Sequence, residues 1–197
     1  MRVIAGIAKG TKLLSPKGLH TRPTSDRIKE ALFNIIADRA SGARALDLFA
    51  GSGSLGIEAL SRGAQEVTFV ESSPKAVDAI RKNLKKTAFS EKGIVFKGFV
   101  KGFLKDLAGK NKKFELIFLD PPYKIDFNVL NSIFKGIVES KALSSCGLIV
   151  LEYSSRRDFV CLEEGLELRF TRKYGEGSLS FYELIRKGKD ESCNLPR

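Results

Sequence analysis

An apolar strand, a tight glycine-rich turn and a helix follow one another early in the chain, and this unit limits the possible folds. The apolar run 43–48 leads into Gly51, Gly53 and Gly56, and Gly63 ends the helical stretch. The G-x-G-x-x-G spacing lets the backbone approach a ligand closely, with helix amides pointing towards it. The spacing is a weak signal alone. It favours an α/β sheet that binds a ligand beyond the carboxyl ends of its strands.

The rest of the chain alternates between strand and helix patterns, which predicts a parallel sheet. The last two strands are linked across Gly175 and Gly177 and read as a closing antiparallel hairpin. The predicted strands are 43–48, 66–70, 94–96, 114–119, 148–151, 166–174 and 179–186.

The amino-terminal residues form a basic region. We predict two short strands, 3–5 and 11–14, in a hairpin from which Lys9 and Lys12 project. A helix opens at residues 23–26, and its helical spacing predicts five core residues, Ile28, Ala31, Leu32, Ile35 and Ile36. The sequence therefore predicts an extension at 1–22, one main domain at 23–186 and a disordered tail at 187–197.

The charge of the chain points to a polyanionic partner. The formal net charge is +11, and phosphate contacts made by Lys and Arg release condensed counterions. Residues 1–44 contribute more than half of this excess, which places the expected contacts with such a partner in the amino-terminal region. A generally basic surface with no such partner is the alternative.

Acidic residues near the glycine turn indicate the type of cofactor. Glu71 follows the loop by about twenty residues, at the end of the second strand, where a carboxylate can bind ribose hydroxyls. Asp47 lies at the mouth of the loop, where it would repel the pyrophosphate of NAD. The ammonium and sulfonium of S-adenosylmethionine would be attracted instead. Alternatively, Asp47 accepts amides of its own turn.

A second motif, Asp120-Pro121-Pro122-Tyr123, directly follows the apolar run 114–119. The prolines fix the backbone, so that the Asp120 carboxylate and the neighbouring carbonyls can accept hydrogens from an exocyclic amine. Tyr123 offers a ring on which a base can stack. Because the first and fourth strands end at the same edge of the sheet, both motifs should face one crevice; a plain surface turn is the alternative.

Other function classes are disfavoured. No apolar run approaches the length of a membrane span and the start lacks the apolar stretch of a signal peptide, so we expect a cytoplasmic protein with no membrane contact. Three scattered cysteines and the single His20 support no metal site. With 197 residues there is no room for a separate substrate domain of an NAD-dependent oxidoreductase. A monomer is the default.

The chain resembles the RsmD-type methyltransferases, the bacterial family that methylates the exocyclic amine of one guanine in 16S ribosomal RNA. The resemblance spans nearly the whole chain and is carried by 22–34, then 47–56, then 120–123, in that order and spacing. The last two segments occur in many amino methyltransferases, whereas the first, with the amino-terminal hairpin, is specific to this family.

The resemblance implies a Rossmann-like class I methyltransferase fold with a seven-stranded, mostly parallel sheet, a C-terminal antiparallel hairpin and an N-terminal β-hairpin extension. The implied catalytic residues are Asp120, Pro121 and Tyr123. The implied S-adenosylmethionine-binding residues are Asp47, Phe49, Gly51, Gly53, Glu71 and Phe99. The implied RNA-binding residues are Lys9, Lys12, Arg22, Thr24 and Arg27.

One position departs from the family pattern. Members usually place an Asp or Asn after the third strand to hold the adenine amine, but this chain has Phe99 there. Phe99 can stack on adenine and cannot accept its hydrogen bond.

The expected partner is ribosomal RNA, within a small subunit or its assembly intermediate. The guanine would be flipped from its stack, rest on Tyr123 and donate its amine hydrogens to Asp120 and the Pro121 carbonyl. Two alternatives stay open, a DNA adenine amino methyltransferase and a noncatalytic RNA-binding assembly factor.

Overall fold

The computed structural model describes residues 1–15 and 26–185, so the predicted boundary between residues 22 and 23 and the tail 187–197 lie outside the described residues. Within the described ranges there is no helix of the length and apolarity needed to cross a membrane. The strands are β1 (Arg44–Leu48), β2 (Glu66–Glu71), β3 (Gly93–Lys97), β4 (Phe114–Leu119), β5 (Leu143–Ser154), β6 (Leu166–Tyr174) and β7 (Gly177–Leu184).

The seven strands form one sheet in the order β3-β2-β1-β4-β5-β7-β6. Strands β1 to β5 pair in parallel. Strand β7 is antiparallel to both β5 and β6. The predicted sheet of seven mostly parallel strands with a closing antiparallel hairpin is therefore confirmed.

Helices cover both faces of the sheet. They are α1 (Asp26–Ile36), α2 (Ser54–Ser61), α3 (Pro74–Lys86), α4 (Val100–Leu107) and α5 (Phe127–Glu139), with a short 3₁₀ turn at Ala37–Ala40. Apolar residues of α1, α2 and α3 pack in one cluster with Leu116, Phe118 and Val150. Those of α4 and α5 pack in a second cluster with Leu119 and Leu151. Successive residues of a strand thus place their side chains in opposite hydrophobic layers of the protein.

Helix α1 buries three of its five predicted core residues, Ile28, Leu32 and Ile36, and differs at the other two. Lys29 and Phe33 are buried, whereas Ala31 and Ile35, predicted to be core, are only half-buried. Lys29 was not predicted to be buried because charged residues of an amphipathic helix normally lie on its solvent-exposed face. Here Glu58 lies 3.7 Å from the Lys29 ammonium, so this lysine is buried together with a carboxylate.

The amino-terminal residues do not form the two predicted strands. They nevertheless pair as an irregular antiparallel hairpin, with one isolated bridge between Arg2 and Lys12 and backbone hydrogen bonds from Val3 to the Thr11 carbonyl at 3.0 Å and from Leu13 to the Met1 carbonyl at 3.1 Å. Further backbone groups of this segment bind side chains of the main domain. The amides of Ile4 and Ala5 donate to the two carboxylate oxygens of Glu58, at 2.7 and 3.0 Å. The described part of the predicted extension is therefore docked on the main domain.

Further contacts fix both ends of this segment. Asn83 accepts from the Leu14 amide at 2.7 Å and donates to the Leu14 carbonyl at 3.0 Å. Lys29, whose side chain is 0% exposed, donates to the Arg2 carbonyl at 2.5 Å. Its ammonium lies 3.7 Å from Glu58, and burial lowers the pKa of Lys29. The Lys29–Glu58 pair thus joins α1, α2 and the amino-terminal segment.

We expect the substitution Glu58→Ala to destabilise the protein by about 3–5 kcal/mol, because Lys29 would remain buried without its carboxylate. The amides of Ile4 and Ala5 would lose their acceptors as well. Urea unfolding gives the free-energy change, and hydrogen exchange of residues 1–15 should report their release.

The matched control is Asp78→Ala, which removes the exposed Lys82–Asp78 pair on α3 and should change stability by no more than about 0.5 kcal/mol. A Glu58→Ala protein as stable as this control would contradict the role given to the buried pair.

Candidate active site

The order of strands reverses between β1 and β4, and the candidate site lies at this point. Strand β2 lies on the far side of β1 and β5 on the far side of β4. Leu48 pairs with Leu119, so Phe49 and Asp120 follow side by side at the carboxyl ends. Such a reversal opens a crevice in doubly wound sheets. The predicted meeting of the glycine loop with the acidic proline turn is confirmed.

Asp47 is buried at the base of this crevice, with 1% of its surface exposed. Its Oδ2 accepts the amide hydrogen of Gly56 at 2.9 Å. Burial raises the pKa of Asp47 to about 8, against the opposing effect of the Gly56 hydrogen bond, and the charges of Asp120 and Glu71 raise it further. Asp47 therefore holds its own turn, as the alternative reading proposed, while it interacts electrostatically with the other two carboxylates.

Gly51 and Gly56 are required for different reasons. Gly51 has φ +56°, and the nearest described atom to a Cβ built there, outside its chain neighbours, is the Phe49 carbonyl oxygen at 3.9 Å. A ligand can therefore approach the backbone closely on the side where a side chain would lie. A Cβ on Gly56 would lie 2.3 Å from the Phe69 ring, so Gly56 serves the packing of α2 on β2. Phe49 also has a positive φ, 62°, a conformation that carries strain in a residue with a side chain.

Glu71 braces the glycine loop from the end of β2. Its two oxygens accept the Gly51 amide at 2.8 Å and the Ser73 amide at 2.7 Å. Each carboxylate oxygen has a second lone pair. Glu71 can therefore hold the loop and still accept a hydroxyl hydrogen from a ligand.

The acidic turn is anchored by a residue that the sequence did not reveal. In the motif, Asp120 and Tyr123 are half-buried and Pro121 is buried. Arg157 donates from Nη1 to the carbonyls of Tyr123, at 2.9 Å, and Ile125, at 2.8 Å. Its guanidinium also lies over the Phe127 ring, 3.9 Å from the centroid. Since Arg157 is 34 residues from Tyr123, no local pattern could have indicated this contact.

The remaining predicted residues lie at different distances from the crevice. Phe99 is 78% exposed and precedes α4, just after β3, as a stacking surface requires. Arg27, Lys9 and Lys12 are exposed, and Lys86 donates to the Lys12 carbonyl at 2.7 Å.

Lys9 is not brought to the crevice. The neighbouring Ala8 binds Ser61 at the far end of α2, about 12 Å from the glycine loop for a helix of this length. Arg22 and Thr24 lie outside the described residues. Among the residues that are described, no group of three or more His, Cys, Asp or Glu side chains could hold a metal ion.

The comparisons with known proteins agree with this geometry. The family model described as Conserved hypothetical protein 95 matches residues 1–183. The Bacillus subtilis protein YlbH is 40% identical over 93% of this chain and 98% of its own length. Ribosomal RNA small subunit methyltransferase D of Haemophilus influenzae is 38% identical over 83% of each chain. Among solved structures, TTHA0928 of Thermus thermophilus has a TM-score of 0.79 and 31% identity, over 93% of this chain and 99% of that one.

The raised pKa of Asp47 makes stability depend on pH. The folded state holds the Asp47 proton up to about pH 8, whereas the unfolded chain releases it near pH 4. Its stabilising contribution is therefore present at acidic pH and is lost as the pH rises through this window. Asp47→Asn removes the titration, so the variant should gain stability relative to the wild type between pH 5 and pH 8.5.

Urea unfolding of both proteins at the two pH values measures this difference. Asp78→Asn, on the exposed surface of α3, is the control and should follow the wild type. A constant difference between Asp47→Asn and the wild type across the range would contradict the protonated Asp47.

Proposed function

We infer the function from one premise: the chain belongs to the Conserved hypothetical protein 95 family. We propose that it is an S-adenosylmethionine-dependent methyltransferase that acts on the exocyclic N2 amine of a guanine in small-subunit ribosomal RNA. The observation that carries this proposal is the β1–β4 register, which places the glycine loop and the acidic turn at one edge.

The substrate class is supported by the relatives and by charge. A relative 38% identical to this chain is named ribosomal RNA small subunit methyltransferase D. The net charge of +11 favours association with a polyanion. Exposed Lys12 and Arg27 are the described candidates for phosphate contacts. Lys9, at the far end of α2, would contact only RNA that extends beyond the crevice.

The cofactor site fits S-adenosylmethionine. When bound, this cofactor supplies an electrophilic methyl group on a cationic sulfonium. Asp47, buried under the loop, gains a favourable interaction when a cation approaches, which favours its ionised form. Gly51, without a side chain, leaves space for a ligand beside the loop, Glu71 can accept a ribose hydroxyl, and the Phe49 and Phe99 rings are candidates to contact the adenine.

The acidic turn would activate the acceptor amine. Asp120 and the Pro121 carbonyl accept the two amine hydrogens, while Tyr123 stacks on the base. These interactions localise the nitrogen lone pair, which in free guanine is delocalised into the ring. Holding the nitrogen beside the donor supplies the orientational part of the rate gain. After transfer the cationic nitrogen releases its proton to Asp120 or to water.

The proposal is tested by nucleoside mass spectrometry after incubation with small ribosomal subunits, naked ribosomal RNA and DNA. We expect N2-methylguanosine from the ribosomal substrates. Methyladenine in DNA would instead support an adenine amino methyltransferase, and no product despite donor binding would support a noncatalytic assembly factor. Asp120→Ala should abolish transfer and still bind the donor by calorimetry, because the proposed donor contacts lie at the carboxyl ends of β1, β2 and β3 and not in the acidic turn.

Asp106→Asn, on the exposed surface of α4, is the matched control and should keep full activity. Near-normal turnover by Asp120→Ala would refute the role given to Asp120.

Arg157 should act as a positioning residue in this reaction. Arg157→Ala releases the Tyr123 and Ile125 carbonyls, so we expect turnover to fall on the order of tenfold or more, equivalent to about 1.4 kcal/mol. The donor Kd should not change. Arg157→Lys can restore one hydrogen bond at most in this geometry and should recover activity only in part.

Steady-state kinetics with the donor and the RNA varied separately measure these effects. Arg156→Ala removes an exposed neighbour that pairs with Glu176 and serves as the control. Equal turnover by the Arg156 and Arg157 variants would show that the anchor has no catalytic consequence.

A further inference from the structure

Glu152 is a buried carboxylate that the chemistry above does not use. It lies in β5 between two apolar residues, and only 2% of its surface is exposed. A buried carboxylate carries a desolvation cost that an apolar residue would avoid. Its position at the carboxyl end of the sheet suggests a role in the site.

The strand register places Glu152 beside Asp120. Leu119 of β4 pairs with Leu151 of β5, so Asp120 and Glu152 come next on neighbouring strands, which lie about 5 Å apart. Phe118 and Val150 lie two residues before Asp120 and Glu152, respectively, and both belong to the same core cluster. By strand alternation the side chains of Asp120 and Glu152 continue on that face of the sheet.

Tyr123 approaches the same place. A Cβ built on Gly177 of β7 would lie 3.7 Å from Glu152 Oε1 and 3.7 Å from the Tyr123 hydroxyl. The carboxylate and the proposed stacking residue therefore converge on one point. Asp120 and Tyr123 of the acidic turn and Glu152 of β5 thus surround the expected position of the target base.

We propose that Glu152 reads the identity of this base by accepting the ring N1–H of guanine while Asp120 and the Pro121 carbonyl hold the N2 amine. This inference rests on the proposed guanine N2 activity. An ionised carboxylate only accepts hydrogen bonds, and on the Watson–Crick edge of guanine a donor, N1–H, lies beside the N2 amine. Adenine presents a lone pair at N1, which would face the carboxylate without a proton between them. Glu152 would therefore select guanine against adenine.

The substitution Glu152→Gln tests this role because it keeps the shape and lets the amide donate to a lone pair. After the methylated nucleotide has been mapped, RNA is prepared with guanosine or 2-aminopurine there. 2-Aminopurine keeps the C2 amine but has a lone pair at N1. The wild type should prefer guanosine in kcat/KM on the order of 100-fold, and Glu152→Gln should reduce this preference by about tenfold or more.

The donor Kd of the variant should match that of the wild type, and Glu139→Gln on the surface of α5, whose side chain is 66% exposed, should keep the wild-type preference. An unchanged preference in Glu152→Gln would overturn the proposal even if turnover fell, because a purely structural role would slow both substrates equally. A wild-type protein that methylates no guanine would instead refute the proposed function, so the two failures are distinguishable.

If Glu152→Gln fails to fold, Glu152→Asp provides the second test. It keeps the charge and withdraws the carboxylate by one methylene. We expect kcat/KM on guanosine to fall about tenfold, with no fall on 2-aminopurine, which makes no hydrogen bond at this position. Equal losses on both substrates would overturn the proposal.

Discussion

The parallel pairing of β1 with β4 is the constraint on which the site depends. Leu48 and Leu119 are partners in this register, and each strand sends its next residues into a different loop at the same edge. A slip of one residue would turn Asp47 or Asp120 to the opposite face of the sheet, because side chains alternate along a strand. The site is therefore specified by core packing on both faces of the sheet, which fixes the register.

A cluster of carboxyl groups lies within a positively charged protein. Asp47, Glu71 and Asp120 interact closely enough that the last two raise the pKa of the first, while the chain as a whole carries +11. The two signs act over different distances. The net positive charge attracts a polyanion from solution, whereas the crevice favours what a carboxylate can hold, a cation or a hydrogen-bond donor. Both components of the proposed reaction present such groups to the crevice.

Local sequence patterns predicted much of the fold but did not predict its long-range contacts. The bounds of α4 and β6 agree with the pattern, because regular periodicity and terminal glycines act locally. Lys29 and Arg157 were missed for the same physical reason. Their partners lie 27 and 34 residues away, and each cation is stabilised by groups that only the folded chain brings near. The glycine loop and the acidic turn were found because each carries its chemistry in consecutive residues.

The difference at the amino terminus has a consequence for RNA recognition. The sequence predicted a basic hairpin from which Lys9 and Lys12 project, and in the structure this hairpin is irregular and attached to the main domain: the backbone amides of Ile4 and Ala5 are bound by Glu58, and Leu14 by Asn83. A segment fixed in this way does not have to be ordered when a partner binds, so its lysines can contribute to affinity at a lower entropic cost than those of a mobile arm. Because the segment also reaches Ser61 at the far end of α2, RNA that contacts it along its length must cover the α2 face as well as the crevice. The proposed substrate is then recognised as a folded surface, with the target base as only one part of it.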